Sequence, residues 1–172
     1  MKLLTAVLIL LTLTTSAQAV RVVVFDIDGG HALSMRDVIW RECPSAAVLV
    51  INVGRNFEMF AQAVDSAIEF KADIINISLV GYNFEAVHAA VKKATALGII
   101  IVAPVKGNAN SFLDAIDPNK RLRRYPGAYP EVLGVYADDP RGRSYATAIT
   151  AGCIANVIEQ SGYGNNLQGD SQ

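Results

Sequence analysis

The chain has 172 residues, 52% of them hydrophobic, and a formal net charge of -1. That size and apolar content fit one globular domain with a sizeable core. The near-neutral charge excludes a general pull towards nucleic acid or acidic lipid, and two cysteines, Cys43 and Cys153, are too few and too far apart for a metal-ligand cluster. No metal and no cofactor is expected.

The first 19 residues read as a secretory signal peptide. Lys2 supplies positive charge, Leu3 to Leu13 is a nearly continuous apolar run, and Ala17-Gln18-Ala19 is a small-x-small cleavage pattern. The run falls short of the roughly 20 residues that span a bilayer, so no stable membrane association is expected after cleavage. The mature protein would begin at Val20 and work in a secreted or periplasmic setting. There a Cys43–Cys153 disulfide is chemically allowed. Residues 20–161 form the expected domain, and the Gly-, Asn-, Gln- and Ser-rich stretch 162–172 an expected disordered tail.

From Val20 the elements alternate. Arg21 to Phe25 is an apolar strand that stops at Asp26; Ile27-Asp28-Gly29-Gly30-His31 follows. Leu33, Val38, Ile39 and Trp40 suit an amphipathic helix from Ala32 to Cys43, which Pro44 stops. Ala46 to Val53 predicts a second strand, and Asn56 an N-cap for a helix carrying Phe57, Phe60, Ala61, Val64, Ala67 and Ile68 at helical spacing. Asp73 to Leu79 predicts a third strand. Asn83 is expected to cap the next helix, which Gly98 closes. Ile99 to Ala103 is a fourth strand, 107–130 is irregular, and Val132 to Ala137 is a fifth strand. Helix from Ser144 to about Glu159 follows. The basic run Lys120 to Arg124 reads as a solvated loop, not a nucleic-acid site. Strands alternating with helices predict an α/β fold in three layers, a mainly parallel sheet with helices on both faces. Ligands in such folds sit at the C-terminal ends of the strands, which gathers Asp26, His31, Asn52, Ser78, Asn108 and Asp138 at one rim.

Two chemistries fit the opening stretch. A Ser-His-Asp mechanism needs a general base beside a nucleophilic hydroxyl and an acid that holds the base's tautomer. His31 lies five positions after Asp26, close enough for a turn to join them, whereas His88 falls within a helix and reads as a solvated or half-buried residue there. Ser144 opens the last helix, where its own N–H and the helix dipole favour a developing oxyanion; an ordinary N-cap is the competing account. Asn108, after Gly107, would supply a second oxyanion donor.

At these residues the chain resembles subtilisin-like serine proteases (subtilases). Val22 to Asp26 resembles the strand ending in that family's catalytic Asp, and His31 to Ile39 its catalytic His and helix. Ala72 to Leu79 resembles the strand lining the substrate cleft. Ala96 to Ala103 with Gly107-Asn108 resembles the strand leading to the oxyanion asparagine. Tyr125 to Val135 is similar to the segment that follows, and Gly142 to Thr147 with Ala151-Gly152 to the serine motif. The resemblance implies a shortened subtilisin-like fold and a serine endopeptidase acting on peptide or protein substrates. Asp26, His31 and Ser144 would be catalytic, Asn108 the oxyanion donor, and Ser78, Leu79, Val80 and Gly81 the substrate-binding segment. Ile27-Asp28 stand where the family has Thr or Ser and then Gly, and Arg143 replaces a small residue beside the serine.

Phe25-Asp26-Ile27-Asp28-Gly29 also resembles the first motif of haloacid dehalogenase-like phosphatases, which implies an Asp26 nucleophile, an Asp28 acid/base and Mg²⁺. In that reading Ser78 would bind phosphate, Lys106 would stabilise charge, and Asp138-Asp139 would hold metal. A third reading is a non-catalytic remnant that binds a peptide by strand addition along Ser78 to Gly81.

Overall fold

The computed structural model describes residues 19–54, 57–105, 125–136 and 139–162. Strand β1 (Arg21–Asp26) sets its layout, because side chains on a strand alternate between faces. Val22 and Val24 point one way, onto Ala32, Met35 and Ile39 of α1 (Gly29–Glu42) and Ala148, Ala151 and Ala155 of α4 (Arg143–Ser161). Val23 and Phe25 point the other way, onto Phe60 and Val64 of α2 (Phe57–Glu69) and Val91 and Ala94 of α3 (Glu85–Ala96). Val22 to Phe25 are fully buried, and each such side chain stabilises the fold by roughly 1.5–3 kcal/mol. Three layers result, as the sequence predicts.

The sheet is wholly parallel, in the order β2-β1-β3-β4-β5, with β2 at Ala47–Asn52, β3 at Ile74–Ile77, β4 at Ile100–Pro104 and β5 at Leu133–Val135. The chain steps from β1 outwards to β2 and then back across to β3. In parallel sheets such a reversal is where a crevice forms beyond the strand ends, and here it falls at the ends of β1 and β3, at Asp26 and Ser78.

Small residues let α4 lie close on α1. A Cβ on Gly152 would stand 2.6 Å from Glu42 Cβ and 3.1 Å from the Ile39 carbonyl oxygen. The C-terminal ends of the two helices meet: the Cys43 thiol donates to Glu159 Oε2 at 3.7 Å, and the Cys153 thiol to Glu42 Oε2 at 3.8 Å. The helices therefore run parallel, and both N-termini lie at the C-terminal rim of the sheet.

Several sequence expectations shift. Helix α1 starts at Gly29, not Ala32, because Asp28 caps it. Asn83 does not cap α3: the N-cap position is Phe84, without a side-chain cap bond, and Asn83 Oδ1 instead accepts from the Tyr129 hydroxyl at 3.0 Å. Both cysteines are free thiols, each turned to a glutamate on the opposite helix. Strand β5 leaves out Val132 and Tyr136 of the expected run, Tyr136 being 75% exposed, and Ala137 lies outside the described residues. Asn56, the 107–124 part of the irregular stretch, residues 1–18 and residues 163–172 lie outside the described residues. Among the described residues no helix is long and apolar enough to cross a membrane.

An apolar groove of about 990 Å³ opens at the other end of the sheet, between the strand starts (Arg21, Ile100, Leu133) and the outer face of α4 (Ile154, Val157). It is remote from the carboxylate-bearing rim and does not belong to the site described next.

Candidate active site

Residue 26 shares the alternation of Val22 and Val24, so the Asp26 side chain faces α1. It is 3% exposed. Its Oδ1 accepts from the amides of Ile27 at 2.7 Å and Asp28 at 3.2 Å, and its Oδ2 lies 2.5 Å from His31 Nδ1. An ionised carboxylate only accepts hydrogen bonds, so Nδ1 is the donor of this pair, and in the neutral imidazole Nε2 is then the acceptor.

Helix geometry explains why five residues suffice to join the pair. A two-residue turn, Ile27-Asp28, leads from the strand into α1, and His31 occupies its first turn. Side chains on a helix lean back towards its N-terminus. The imidazole is thus directed over the end of β1, where Asp26 waits. The His31 side chain is 38% exposed, so the ring is open to solvent on its far side.

Ser144 stands on the neighbouring helix. Gly142, with φ 110°, is the N-cap residue that turns the chain into α4, a backbone region that side chains other than glycine's rarely adopt. Helix α4 begins at Arg143, so Ser144 is its second residue rather than its cap. It is half-buried, and among the described residues its hydroxyl has no hydrogen-bond partner. Further along α4, Gly152 packs against Glu42 and Ile39 of α1. The first turns of the two parallel helices, with His31 on one and Ser144 on the other, therefore both lie towards the C-terminal rim of the sheet. The turn before Ser144 is braced by Arg141, which bonds Asp139 through Nε and Nη2, both at 3.0 Å, and stacks over the Tyr145 ring at 4.7 Å. The guanidinium holds the Asp139 carboxyl below the usual carboxylate range.

Ser78 to Gly81 leave the end of β3 along the crevice. Asn76, fully buried at the end of that strand, donates to Ser78 Oγ at 3.1 Å. The main-chain amides of Leu79 and Val80 take no hydrogen bond among the described residues. Gly81 differs: its N–H and C=O pair with Tyr125 at 2.8 and 3.1 Å. An added strand therefore meets open backbone only at Leu79 and Val80. Asn108, Lys106 and Asp138 lie outside the described residues. Asn52 Oδ1 accepts from the Gly54 amide at 2.8 Å, closing its own turn.

One residue left open by the sequence gains a role here, and one feature was not singled out from it. Asp28 accepts from the amides of Gly30 and His31 at 2.8 and 3.2 Å, which makes it the cap of α1; an acid just before a helix start is a legible cap signal. The second is an aromatic brace beside the crevice. Tyr129 stacks on His88 with ring centroids 4.0 Å apart and lies 4.5 Å from Tyr125. Its hydroxyl is also 3.1 Å from the Phe84 carbonyl oxygen, and His88 Nε2 bonds Glu131 Oε2 at 3.0 Å. That bond from His88 holds the Glu131 carboxyl low, while burial pushes the Tyr129 hydroxyl up. No sequence pattern marks such a cluster, since its members lie 43 residues apart.

Neither protein-family models nor curated proteins give a match to this chain. Solved structures do. The self-cleaved protease domain of PatA superposes with a TM-score of 0.69 at 17% identity, over 85% of this chain and 82% of that one. A lanthipeptide protease gives 0.57 at 16% identity, over 71% of this chain and 49% of that one. The PatG macrocyclase in complex with peptide gives 0.55 at 17% identity, over 72% and 48%. The chain thus spans about half the length of the latter two. The fold is that of subtilisin-like protease domains.

Proposed function

We propose that the protein is a secreted or periplasmic serine endopeptidase. The observation that carries this reading is the Asp26–His31 pair at the C-terminal rim, with Nδ1 bound and Nε2 open. Ser144 Oγ attacks the substrate carbonyl and passes its proton to His31 Nε2. The Asp26 carboxylate steadies the imidazolium that forms. His31 returns the proton to the leaving amine, and water then releases the acyl group by the same steps in reverse order of roles. The oxyanion is held by the Ser144 N–H and the Asn108 side chain, each such donor typically contributing roughly 10²–10³ in rate. The substrate backbone lies along Leu79 and Val80, whose amides are open. A protease-type fold among the structural neighbours, one of them a macrocyclase bound to peptide, supports a peptide substrate.

The phosphatase reading asks more of the same carboxylates. Asp28 would have to reach a phosphoryl group, yet its Oδ1 is committed to two amides of α1. Asp26, the would-be nucleophile, has both oxygens engaged.

The test is reaction of the purified protein starting at Val20 with a fluorophosphonate probe. Labelling at Ser144 that is lost in Ser144→Ala, together with peptide hydrolysis, is expected. An unlabelled folded protein whose Ser144→Ala variant behaves identically would overturn the reading; Mg²⁺-dependent phosphate release abolished by Asp26→Asn would replace it. N-terminal sequencing of protein exported from cells should begin at Val20.

A further inference from the structure

We propose that Asp28 is a positioning residue for His31, fixing both members of the Asp–His pair from one point. Its main-chain amide donates to Asp26 Oδ1 at 3.2 Å, and its carboxylate accepts from the Gly30 amide at 2.8 Å and the His31 amide at 3.2 Å. The inference rests on the peptidase reading for its consequence in rate, but not for its consequence in geometry.

The physical need for such a residue follows from where His31 stands. The first four amides of a helix have no partner inside the helix, and the His31 amide is one of them. The two residues before it, Gly29 and Gly30, are the poorest helix formers after proline. Left alone, this turn frays, and the imidazole moves with it. Asp28 satisfies two of the unpaired amides, one of them that of His31, and holds the turn helical. The same residue's N–H leaves Asp26 with one oxygen for the main chain and the other for the imidazole. The side chain of Asp28 is otherwise exposed, so it does not earn its place by packing. Where subtilases carry a small residue and glycine after the acid, this chain has Ile27-Asp28 and a connection of only five residues to the histidine.

The experiment compares the chain from Val20 with its Asp28→Ala, Asp28→Asn and Asp28→Ala/Gly29→Ala variants. Asparagine keeps the capping oxygen but not the charge. Alanine at Gly29 meets nothing within 4 Å and orders the turn by helix propensity alone. Two readouts are taken, after thermal unfolding has shown each variant folded at the assay temperature. One is the ¹⁵N and ¹H NMR signature of the His31 tautomer, with the proton on Nδ1. The other is the rate of fluorophosphonate labelling. Asp28→Ala should lose the single Nδ1–H signature and slow labelling roughly 10- to 100-fold, the scale of about a 1 Å misplacement. Asp28→Asn should keep the signature and stay within about threefold of the unmodified rate, and Gly29→Ala should restore part of the loss. A wild-type tautomer signature in folded Asp28→Ala overturns the proposal, as does an Asp28→Asn variant as impaired as Asp28→Ala. If the unmodified protein is not labelled at all, the peptidase reading fails, and the tautomer signature alone decides the role of Asp28.

Discussion

Gly152 is where packing and chemistry meet, and Gly152→Ala tests the link between them. The new methyl would sit 2.6 Å from Glu42 Cβ and 3.1 Å from the Ile39 carbonyl oxygen. Neither atom is the free end of a flexible side chain. Ordinary carbon contact needs about 3.5–4.0 Å, so α1 and α4 must part by about 1 Å at this point. Two terms oppose each other in stability. Alanine in a helix gains about 1 kcal/mol over glycine, while forcing a methyl into a filled interface costs about 1–3 kcal/mol. The net loss is therefore small, between about 0 and 2 kcal/mol, and the protein stays folded. Activity is more sensitive. His31 rides on α1 and Ser144 on α4, so under the proposed peptidase mechanism a separation of the helices by about 1 Å moves the proposed base and nucleophile apart by a similar amount, worth about 10² in rate. The assay pairs a thermal melt with the fluorophosphonate labelling rate at a temperature where the variant is fully folded. A variant that melts higher than the parent and labels at the parental rate would refute the claim that this contact sets the distance between the two residues.

Asp26→Asn should lower kcat for peptide hydrolysis by roughly 10⁴ near neutral pH, because an amide no longer holds the Nδ1–H tautomer; pre-steady-state kinetics on a chromogenic peptide would measure it. Tyr129→Phe removes a buried hydroxyl that bonds Asn83 and Phe84. It should cost about 1–2 kcal/mol in chemical denaturation, and, because those residues close the loop after Gly81, raise KM more than it lowers kcat. The bond from His88 lowers the folded-state pKa of Glu131. This pair's stabilisation is therefore present above the unfolded carboxylate value, near about 4.3, and is lost as pH falls through the lower folded value. Thermal melts of Glu131→Gln from about pH 6 to about pH 3 should show a shallower decline than the parent; parallel curves would remove the pair from the acid response.

Periodicity made the layers legible. The apolar runs ending at Asp26 and Leu79, and the 3.6-residue spacing of Phe60, Val64 and Ala67, depend on local chain geometry alone, and they appear in the structure as β1, β3 and α2. The five-residue step from Asp26 to His31 was equally readable, since a turn that short leaves few places for the imidazole to go. The sequence could not decide the job of Asp28, because the same carboxylate is a cap or a phosphatase acid depending on which way the turn winds. Nor could it place Asn83, whose preference for a cap was outweighed by a hydroxyl arriving from Tyr129, 46 residues away. The close approach of α4 to α1 rests on the contact of Gly152 with Ile39 and Glu42, and such contacts are set by how two helices settle on one sheet. Local pattern determined the elements and the acid–histidine pair, whose members share one turn. Tertiary packing decided which helices and strands lie beside that pair, because burial and close approach between helices are properties of the assembled layers and of no single segment.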